Sequence, residues 1–370
     1  MKKVLFFIPN LSVGGAEKVL VNLVNNMDTS KFDITVQTLF AGGINEQFLK
    51  KNIRYCYCFK NTIKGNSTIL KLFKPEILYN YFIKEHYNII VSYLEGPTAR
   101  IVSGCNDNDT KLVCWIHCKF GSPKTAKTGF RSFTEAKRLY SRYNNIVCVS
   151  KCVKDFFCKT MEFQGKVDVL YNTNETKEIY RKSLQTVNDV VFDANCFNIC
   201  SVGKIEPIKG FDRLARVHKR LLDVGINNKV YILGEGAQKK DIELYLKANN
   251  LDHSFIFLGY HTNPYKYVSK CDLFVCSSFS EGFSTAATEA IIVGTPVCSV
   301  EVSGMKEMLG DNNEYGLVTE NNENALFEGI KSILENPNLL AYYKRQVNKR
   351  KDLFCTENTV NAVEEMLINL

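Results

Sequence analysis

The chain alternates short apolar runs with longer stretches that have helical periodicity. In the first half, runs rich in β-branched and aromatic residues occupy 4–8, 34–40, 89–93, 111–116, 146–149 and 167–170. Continuously apolar strands that alternate with helical patterns are typical of a parallel sheet covered on both faces. Residues 1–175 are therefore predicted to form one α/β domain.

A polar, irregular segment at 176–195 interrupts this rhythm and is predicted to be a linker. The pattern then resumes, with strands at 197–202, 230–233, 255–258, 273–277 and 295–300 and with helices at 211–224, 238–249, 264–270, 285–293 and 323–335. Residues 196–340 are predicted to be a second doubly wound domain. Residues 341–370 are expected to be helices that pack back toward the first domain.

A length of 370 residues exceeds what one hydrophobic core usually supports, which also favours two domains. In open α/β sheets, ligands bind beyond the carboxyl ends of the strands. Two such sheets whose carboxyl ends face each other create a cleft between the domains. The sequence therefore predicts an interdomain ligand site.

The charge distribution narrows the possible partners. The composition, with 45% hydrophobic and 23% charged residues, excludes a disordered or low-complexity chain. The net charge of +8 is mild, and much of the excess lies between 119 and 142. Such a segment suits an anionic substrate, a membrane surface or nucleic acid. No motif for reading nucleic acid accompanies it, so nucleic-acid binding is the weaker alternative.

Fourteen cysteines are scattered along the chain, many of them inside apolar runs, which is typical of reduced core thiols in a cytosolic protein. No two pairs have finger-like spacing, so no metal site is predicted. The first apolar run stops at Pro9, which makes it too short for an export signal. No apolar run approaches the length of a transmembrane helix, so any membrane association is expected to be peripheral and on the cytoplasmic side.

Two glycine-containing loops follow predicted strands. Gly14 and Gly15 precede the first helix, where a close backbone approach and the helix dipole favour an anion, and a tight turn is the alternative. In the second half, Lys204 and Lys209 lie in a loop shaped by glycine and proline at a strand's carboxyl end. Two lysines there can converge on one pyrophosphate, while a solvated loop remains the alternative.

The most informative segment runs from Ser277 to Ala290. Glu281 is predicted to lie in the loop after a strand, and a helix is predicted to begin near Ser284. The backbone amides of Phe283, Ser284 and Thr285 would then form an anion seat beside a carboxylate. Glu289 falls in the second turn among small apolar residues, where a buried carboxylate needs a hydroxyl or amide partner.

These residues resemble the retaining glycosyltransferases of family 4, which use nucleotide-sugar donors and have the GT-B fold of two facing Rossmann-like domains. Glu281 and Glu289 resemble the family's E-x7-E signature. The two lysines, with Gly203 before them, resemble its phosphate-binding pair, and Gly14-Gly15 resembles its N-terminal glycine loop. Gly234 belongs to a further matching loop.

The resemblance implies a role for each matching position. Lys204 and Lys209 would hold the donor diphosphate, Glu289 the nucleotide ribose, and Glu281 would lie against the transferred sugar. His117, directly after a predicted strand, matches a histidine that faces the donor sugar. The catalytic set implied is Glu281, His117 and Lys209, and the donor-binding set is Gly15, Gly203, Lys204, Lys209, Gly234, Phe283, Ser284, Thr285 and Glu289.

The acceptor side is less specific. Glu95 lies at another predicted strand end, where it could reach an acceptor hydroxyl or simply begin a helix. The basic stretch is interleaved with aromatic residues, a mixture that suits an anionic bilayer; an ordinary solvated face is the alternative. The predicted membrane contacts are Lys124, Lys127, Arg131, Lys137 and Arg138.

The function expected from the sequence is transfer of a sugar from a nucleoside-diphosphate sugar, UDP-linked by expectation, to a saccharide or lipid-linked saccharide. Retention of anomeric configuration is implied by the resemblance, as is a role in surface polysaccharide or glycan biosynthesis. Lysines and a helix dipole would take the place of a metal. A sugar-nucleotide epimerase of the same fold would share the phosphate seat and is the enzyme alternative.

Overall fold

Two parallel sheets organise the chain. The computed structural model describes residues 1–12, 14–62 and 65–370. They form two units, of which unit 1 contains Met1–Asn174 and Thr356–Leu370, and unit 2 contains Glu175–Cys355. Each unit has its own sheet. The predicted α/β class with two Rossmann-like domains is confirmed.

In the described part of unit 1, seven parallel strands pair in the order β3-β2-β1-β4-β5-β6-β7. Their bounds are β1 Lys2–Ile8, β2 Phe32–Phe40, β3 Arg54–Phe59, β4 Ile89–Ser92, β5 Lys111–Ile116, β6 Asn145–Cys148 and β7 Val167–Val169. The central strands are buried on both faces, as their continuous apolar runs require. The edge strand β3 is partly exposed on both faces, and its mixed composition is the reason that the sequence did not predict it.

The helices of unit 1 connect these strands. They are α1 Gly15–Asn26, α2 Asn66–Leu70, α3 Pro75–Phe82, α4 Pro97–Val102, α5 Pro123–Ala126, α6 Phe133–Tyr140 and α7 Lys151–Met161. A 3-10 helix covers Ile44–Phe48. Ser132 and Ser150 accept hydrogen bonds from backbone amides in the first turns of α6 and α7 and so fix where these helices begin.

In unit 2, six parallel strands pair in the order β10-β9-β8-β11-β12-β13. They are β8 Phe197–Val202, β9 Asn228–Leu233, β10 Phe255–Gly259, β11 Leu273–Cys276, β12 Val297–Val300 and β13 Leu317–Thr319. The sequence missed β13, a partly exposed edge strand of three residues. The core lies between this sheet and helices that include α9 and α14, whose bounds follow below.

The helices of unit 2 are α8 Thr176–Ser183, α9 Phe211–Asp223, α10 Lys239–Ala248, α11 Tyr265–Val268, α12 Thr285–Ile292, α13 Met305–Leu309, α14 Glu323–Leu334 and α15 Pro337–Arg350. Two 3-10 helices cover Pro207–Lys209 and Lys351–Phe354. The segment 176–195, predicted as a linker, thus carries the regular helix α8, which packs on α11 and α12.

The last helix, α16 Thr356–Ile368, belongs to unit 1 and packs on α1. The Thr356 hydroxyl donates to the Asn174 carbonyl over 2.7 Å, at the point where the chain has just returned to this unit. The buried Glu364 carboxylate accepts from the Asp28 amide over 2.6 Å and lies 3.2 Å from the Lys31 ammonium. The buried charge of Glu364 is therefore paired, and these contacts attach α16 to the segment after α1.

Candidate active site

Glycines allow the loops after three neighbouring strands to pack closely. β8 lies between β9 and β11 in the sheet, so the loops that follow these strands start side by side. Gly234 has a positive φ, and a β-carbon on it would overlap the Gly203 carbonyl. Gly210 also has a positive φ, and a β-carbon there would overlap the Ser277 carbonyl. Only glycine permits these approaches, which bring the loop that carries Lys204 and Lys209 next to the loop that carries Glu281.

Lys209 and Glu281 meet at this edge of the sheet. The Lys209 ammonium lies 2.7 Å from Glu281 Oε1, and the Ser278 hydroxyl donates to the same oxygen over 2.6 Å. The side chains are 28% and 12% exposed, so the pair is largely shielded from water. Two of the three residues predicted to be catalytic are thus in direct contact.

Lys204 has a different environment. Its ammonium pairs with Glu206, and its side chain is 64% exposed. The aliphatic chain of Lys209, by contrast, lies close to Gly203, where a β-carbon would be 3.7 Å from Lys209 Cε. In this structure the two lysines therefore have separate carboxylate partners, and a shared phosphate would have to draw Lys204 away from Glu206.

The helix α12 begins where the sequence predicts. Ser284 is its N-cap, and its hydroxyl accepts from the Ala287 amide over 3.3 Å. Phe283 is buried, and its ring packs against Phe354 with centroids 6.0 Å apart. Since α12 follows the Glu281 loop directly, the positive end of its dipole lies beside the Lys209–Glu281 pair.

Glu289 is buried on α12, as the sequence predicts for a carboxylate in need of a partner. The Tyr265 hydroxyl of α11 donates to Glu289 Oε1 over 3.3 Å. A hydroxyl partner lowers the cost of burying a carboxylate. The structure thus places Glu289 on the same helix as the predicted phosphate amides, one turn further along.

Arg213 is a functional candidate that the sequence analysis missed. Its guanidinium is buried and donates to the carbonyls of Ser277 and of Ser278, the latter over 3.2 Å. It also stacks on the Phe279 ring, 4.2 Å from the centroid. A buried cation on α9 therefore binds the backbone of the loop that carries Glu281. An arginine on the core-facing side of α9, one turn before the buried Val217, was the available signal.

In unit 1, Glu95 and His117 follow the neighbouring strands β4 and β5. The Glu95 carboxylate accepts from the His117 backbone amide over 2.9 Å. Burial raises the pKa of Glu95, and the hydrogen bonds from the Cys118 side chain and the His117 amide oppose that rise. Glu95 therefore holds the loop on which His117 lies.

His117 is neutral near pH 7. Burial lowers its pKa to about 3, and a hydrogen bond to the Tyr93 backbone opposes this only in part. Its ring lies against Tyr93, with centroids 5.1 Å apart. The Nε2 atom is buried and has no hydrogen-bond partner among the described residues. A neutral imidazole with one nitrogen already engaged leaves the other as an acceptor for a hydroxyl group.

A carboxylate of the chain itself lies against the N-terminal glycine loop. Gly14 is the N-cap of α1 and Gly15 its first residue, while Val13 lies outside the described residues. The Glu17 carboxylate folds back against Gly14, where a β-carbon would overlap it. Burial raises the pKa of Glu17. An anionic ligand at the start of α1 would have to displace this carboxylate or find it protonated.

The membrane prediction for 119–142 is wrong for four of its five large apolar side chains, of which only Phe133 is partly exposed. Phe120, Phe130, Leu139 and Tyr140 are buried in the core of unit 1 and cannot reach a bilayer. Helical periodicity does not reveal which face of a short helix is covered. The basic side chains differ among themselves. Lys124, Lys127 and Arg138 are exposed, Lys137 pairs with Glu162 at 2.9 Å, and Arg131 binds backbone carbonyls in the turn after α2.

Comparison with known proteins places this arrangement in a family. The profile described as Glycosyltransferase Family 4 matches residues 13–177, and the profile described as Glycosyl transferases group 1 matches residues 188–350. A Campylobacter jejuni N-acetylgalactosamine-N,N'-diacetylbacillosaminyl-diphospho-undecaprenol 4-alpha-N-acetylgalactosaminyltransferase is 30% identical over 365 residues, which cover 96% of each chain. The protein belongs to the group 1 glycosyltransferases.

A second C. jejuni protein is similar to this glycosyltransferase, with 24% identity over 385 residues that cover 100% of this chain and 98% of the relative. It is a GalNAc-alpha-(1->4)-GalNAc-alpha-(1->3)-diNAcBac-PP-undecaprenol alpha-1,4-N-acetyl-D-galactosaminyltransferase.

Solved structures share the fold of the glycosyltransferase. Anabaena HepE in complex with UDP has a TM-score of 0.76 at 18% identity, with 100% of both chains covered. A sucrose-phosphate synthase from Thermosynechococcus elongatus has a TM-score of 0.81 at 16% identity, with 100% of this chain and 99% of that one covered.

Two further observations concern only the described residues of the glycosyltransferase. No group of three or more His, Cys, Asp or Glu side chains in 1–12, 14–62 and 65–370 is arranged to hold a metal ion. Within the same ranges, no helix has both the length and the apolar character needed to cross a membrane.

Proposed function

We propose that this glycosyltransferase moves a sugar from a UDP-sugar to a lipid-linked saccharide, with retention at the anomeric carbon, in the synthesis of a surface polysaccharide or glycan. Two C. jejuni relatives named for diphospho-undecaprenol acceptors support the acceptor class. HepE, which binds UDP, supports the choice of nucleotide. We further propose that the enzyme works at the cytoplasmic face of a membrane.

One observation carries the proposal. The Lys209–Glu281 pair lies at the carboxyl edge of the unit 2 sheet, directly before the N-terminus of α12. A donor diphosphate at this point would meet the lysine and the positive end of the helix dipole. Departure of the sugar adds negative charge to the diphosphate, so these groups stabilise the transition state more than the ground state.

Each donor-side residue then has a defined task. Lys209 and Lys204 hold the diphosphate, and the amides of Phe283–Thr285 add hydrogen bonds to it. Glu289 accepts hydrogen bonds from the ribose hydroxyls, and Tyr265 keeps its carboxylate oriented. Gly203 and Gly234 allow the backbone to approach the ligand closely, and Gly15 does so once the Glu17 carboxylate has moved away from the start of α1. Lysines and the helix dipole do the work that a metal ion would do in other transferases.

In the reaction, the bond between the anomeric carbon and the diphosphate oxygen breaks while a bond to an acceptor hydroxyl oxygen forms on the same face. The acceptor proton passes to the departing phosphate oxygen, so charge and atoms balance. Glu281 supports the positive charge that develops on the sugar ring and positions it. His117 Nε2 accepts a hydrogen bond from a sugar hydroxyl, and Glu95 keeps the His117 loop in place for the acceptor side.

The experiment is a two-stage assay. A panel of UDP- and GDP-sugars is first screened for thermal stabilisation, since a ligand at 100 times its dissociation constant adds about 2.7 kcal/mol to the free energy of unfolding. The stabilising donor is then incubated with polyprenyl-diphosphate-linked saccharides, and the new linkage is assigned by NMR. We expect an α-linked donor to give an α-linked product, with full activity in excess EDTA.

Other outcomes would contradict specific parts of the proposal. Inversion at the anomeric carbon would overturn retention, and activity that EDTA abolishes and magnesium restores would overturn the metal-free account. Conversion of the donor to an epimer without any acceptor would favour a sugar-nucleotide epimerase. A salt-sensitive shift of nucleic acid on a gel, without donor binding, would favour the nucleic-acid alternative.

A further inference from the structure

Unit 1 exposes a group of large apolar side chains at the end of α2, in the turn that follows and along α3. We name this group the α2–α3 face; it consists of Ile69, Leu72, Phe73, Ile77 and Tyr81. Leu72 is 74% exposed and Tyr81 63%. Scattered apolar residues are normal on protein surfaces, but here five exposed large apolar side chains fall within residues 69–81, and such a concentration is typical of an interaction site.

The helix α3 has two apolar sides. Leu78 and Phe82 are buried and attach the helix to the core of unit 1. Ile77 and Tyr81 are one turn apart and both exposed, so they share the outer side. A helix that is apolar on both sides normally has a second apolar environment to occupy.

Two arginines bind the backbone of the turn between α2 and α3. The buried Arg100 donates to the carbonyls of Leu70 and Phe73 over 3.0 and 2.8 Å. Arg131 donates to the carbonyls of Leu72 and Phe73, both over 2.9 Å. These backbone carbonyls therefore have partners within the protein, so the turn can enter an apolar medium without leaving them unpaired.

Glu135 ties the two arginines together. Its carboxylate lies 3.1 Å from the Arg100 guanidinium and accepts from the Arg131 amide over 2.5 Å. The ion pair is almost fully buried, with side chains 1% and 10% exposed. Arg100 from the core and Arg131 from the surface thus both hold the turn, and its side chains Leu72 and Phe73 are exposed.

The charges around this face are complementary to an anionic surface. Lys74 and Lys84 are exposed at either end of α3, and Lys84 Nζ lies 5.4 Å from the centre of the Tyr81 ring. Two acidic side chains nearby are compensated by arginines: Glu85 pairs with Arg54 at 2.7 Å, and Glu76 lies 3.7 Å from Arg142. Lysines that surround an aromatic and aliphatic surface are typical of proteins that lie in the headgroup region of anionic bilayers.

We propose that the α2–α3 face inserts into the outer part of an anionic lipid bilayer and holds the enzyme at the membrane. The acyl-chain boundary would take Leu72, Phe73, Ile77 and Tyr81, while the lysines meet lipid phosphates. The biological purpose of this binding rests on the proposed function, since an enzyme held at the membrane would meet a lipid-linked acceptor. The binding itself does not depend on catalysis. It also replaces the buried aromatic residues of 119–142 with a surface that is exposed.

Flotation with vesicles tests the surface directly. Vesicles of phosphatidylcholine with phosphatidylglycerol are compared with vesicles of phosphatidylcholine alone. The variant Leu72→Ser/Phe73→Ser/Ile77→Ser/Tyr81→Ser should bind the anionic vesicles about tenfold more weakly or worse. The matched control, Tyr180→Ser/Leu184→Ser/Val224→Ser/Leu244→Ser, removes four exposed apolar side chains from unit 2 and should bind as the parent does.

An introduced tryptophan reports insertion without loss of apolar surface. The chain has a single tryptophan, Trp115, which is buried and gives a constant background. Leu72→Trp should show a blue-shifted emission on anionic vesicles and quenching by brominated lipids. Leu244→Trp, at a similarly exposed site in unit 2, should show neither change. This arm remains informative if the fourfold variant fails to fold.

The outcomes separate the possible occupants. Equal flotation of the fourfold variant and the parent, together with an unquenched Leu72→Trp, would overturn the proposal. Dimerisation that the fourfold variant abolishes, in a parent that does not float with vesicles, would assign the face to a second copy of the chain and also overturn it. Vesicle binding through this face in a protein that binds no UDP-sugar would leave this inference standing and overturn the proposed function instead.

Discussion

The Lys209 ammonium lies 2.7 Å from the Glu281 carboxylate, although 72 residues separate the two in the sequence. Without ligand, each charge is therefore compensated by the other in a largely shielded place. A donor diphosphate would compete with Glu281 for the lysine. We infer that donor binding rearranges this pair, freeing the carboxylate to face the sugar while the lysine turns to the phosphate.

Replacing Lys209 with alanine should weaken donor binding or transfer by about 100-fold or more, because a charge-assisted contact in a shielded site is lost. The measurement is kcat/KM together with the donor dissociation constant. Lys229→Ala is the matched control. Lys229 is 29% exposed and pairs with Asp193 at 3.2 Å, as Lys209 pairs with Glu281, but it lies at the amino end of β9, away from the carboxyl edge of the sheet. The control should retain parental activity. Equal losses in both variants would indicate a general effect on stability and contradict the assignment.

Replacing Glu289 with alanine should also reduce donor affinity by about 100-fold, because the proposed ribose contact is charge-assisted. Tyr265→Phe should reduce it by less, about threefold to tenfold, since the carboxylate remains and only one hydroxyl partner is lost. Tyr267→Phe, which removes a hydroxyl that donates to Asp189 over 2.6 Å, is the control and should bind donor normally. Normal donor affinity of Glu289→Ala would remove this residue from the site.

Arg213→Lys should lower the free energy of unfolding by about 2 kcal/mol. A compact ammonium cannot bind Asn321 Oδ1 while it also binds the Ser277 and Ser278 carbonyls, and it loses the planar stacking on Phe279. Donor turnover should fall more than donor binding, since the loop that positions Glu281 loses its support. The control is Arg216→Lys, as Arg216 is 41% exposed and pairs with Glu323 at 2.7 Å. A stability loss with unchanged kcat would reduce Arg213 to a purely structural role.

Acid should destabilise the protein through His218. This histidine is buried between Asn228 and Ser254, at 2.7 and 2.9 Å, and burial lowers its pKa to about 4. The unfolded state therefore binds the proton more readily, and stability is lost as the pH falls from about 6.5 toward 4. The loss attributable to His218 is about 3 kcal/mol between pH 7 and pH 4.

The measurement is denaturant unfolding at several pH values. His218→Asn should be less stable than the parent at pH 7 but should lose less stability on acidification. Burial also lowers the pKa of His117, and this contributes equally to the pH dependence of the parent and of His218→Asn. The difference between their two stability profiles therefore reports His218 alone. The exposed His253→Gln should lose slightly less stability on acidification than the parent, because the charge of His253 contributes to lowering the pKa of His218. Parallel profiles for His218→Asn and the parent would contradict the prediction.

The sequence by itself determined the elements whose chemistry is local. Continuous apolar runs identified the central strands, because a strand buried on both faces cannot carry polar residues on either. The sequence also predicted that a helix begins near Ser284, where α12 has its N-cap, and it predicted from small apolar neighbours that Glu289 needs a partner. The edge strands β3 and β13 were missed because a half-exposed strand has no continuous apolar signal.

Tertiary structure alone decided which residues share a place. Glu206 is only two residues from Lys204, whereas nothing local to Lys209 indicates that it pairs with Glu281, because packing of the loops after β8 and β11 sets that distance. The same holds for burial. Phe120 and Phe130 are as apolar as Leu72 and Phe73, yet the first two fill the core of unit 1 and the others lie in solvent. An apolar side chain is more stable out of water wherever it lies in the sequence. The arrangement of the neighbouring helices and strands decides whether the core of the protein buries it or whether it stays exposed for another surface to cover.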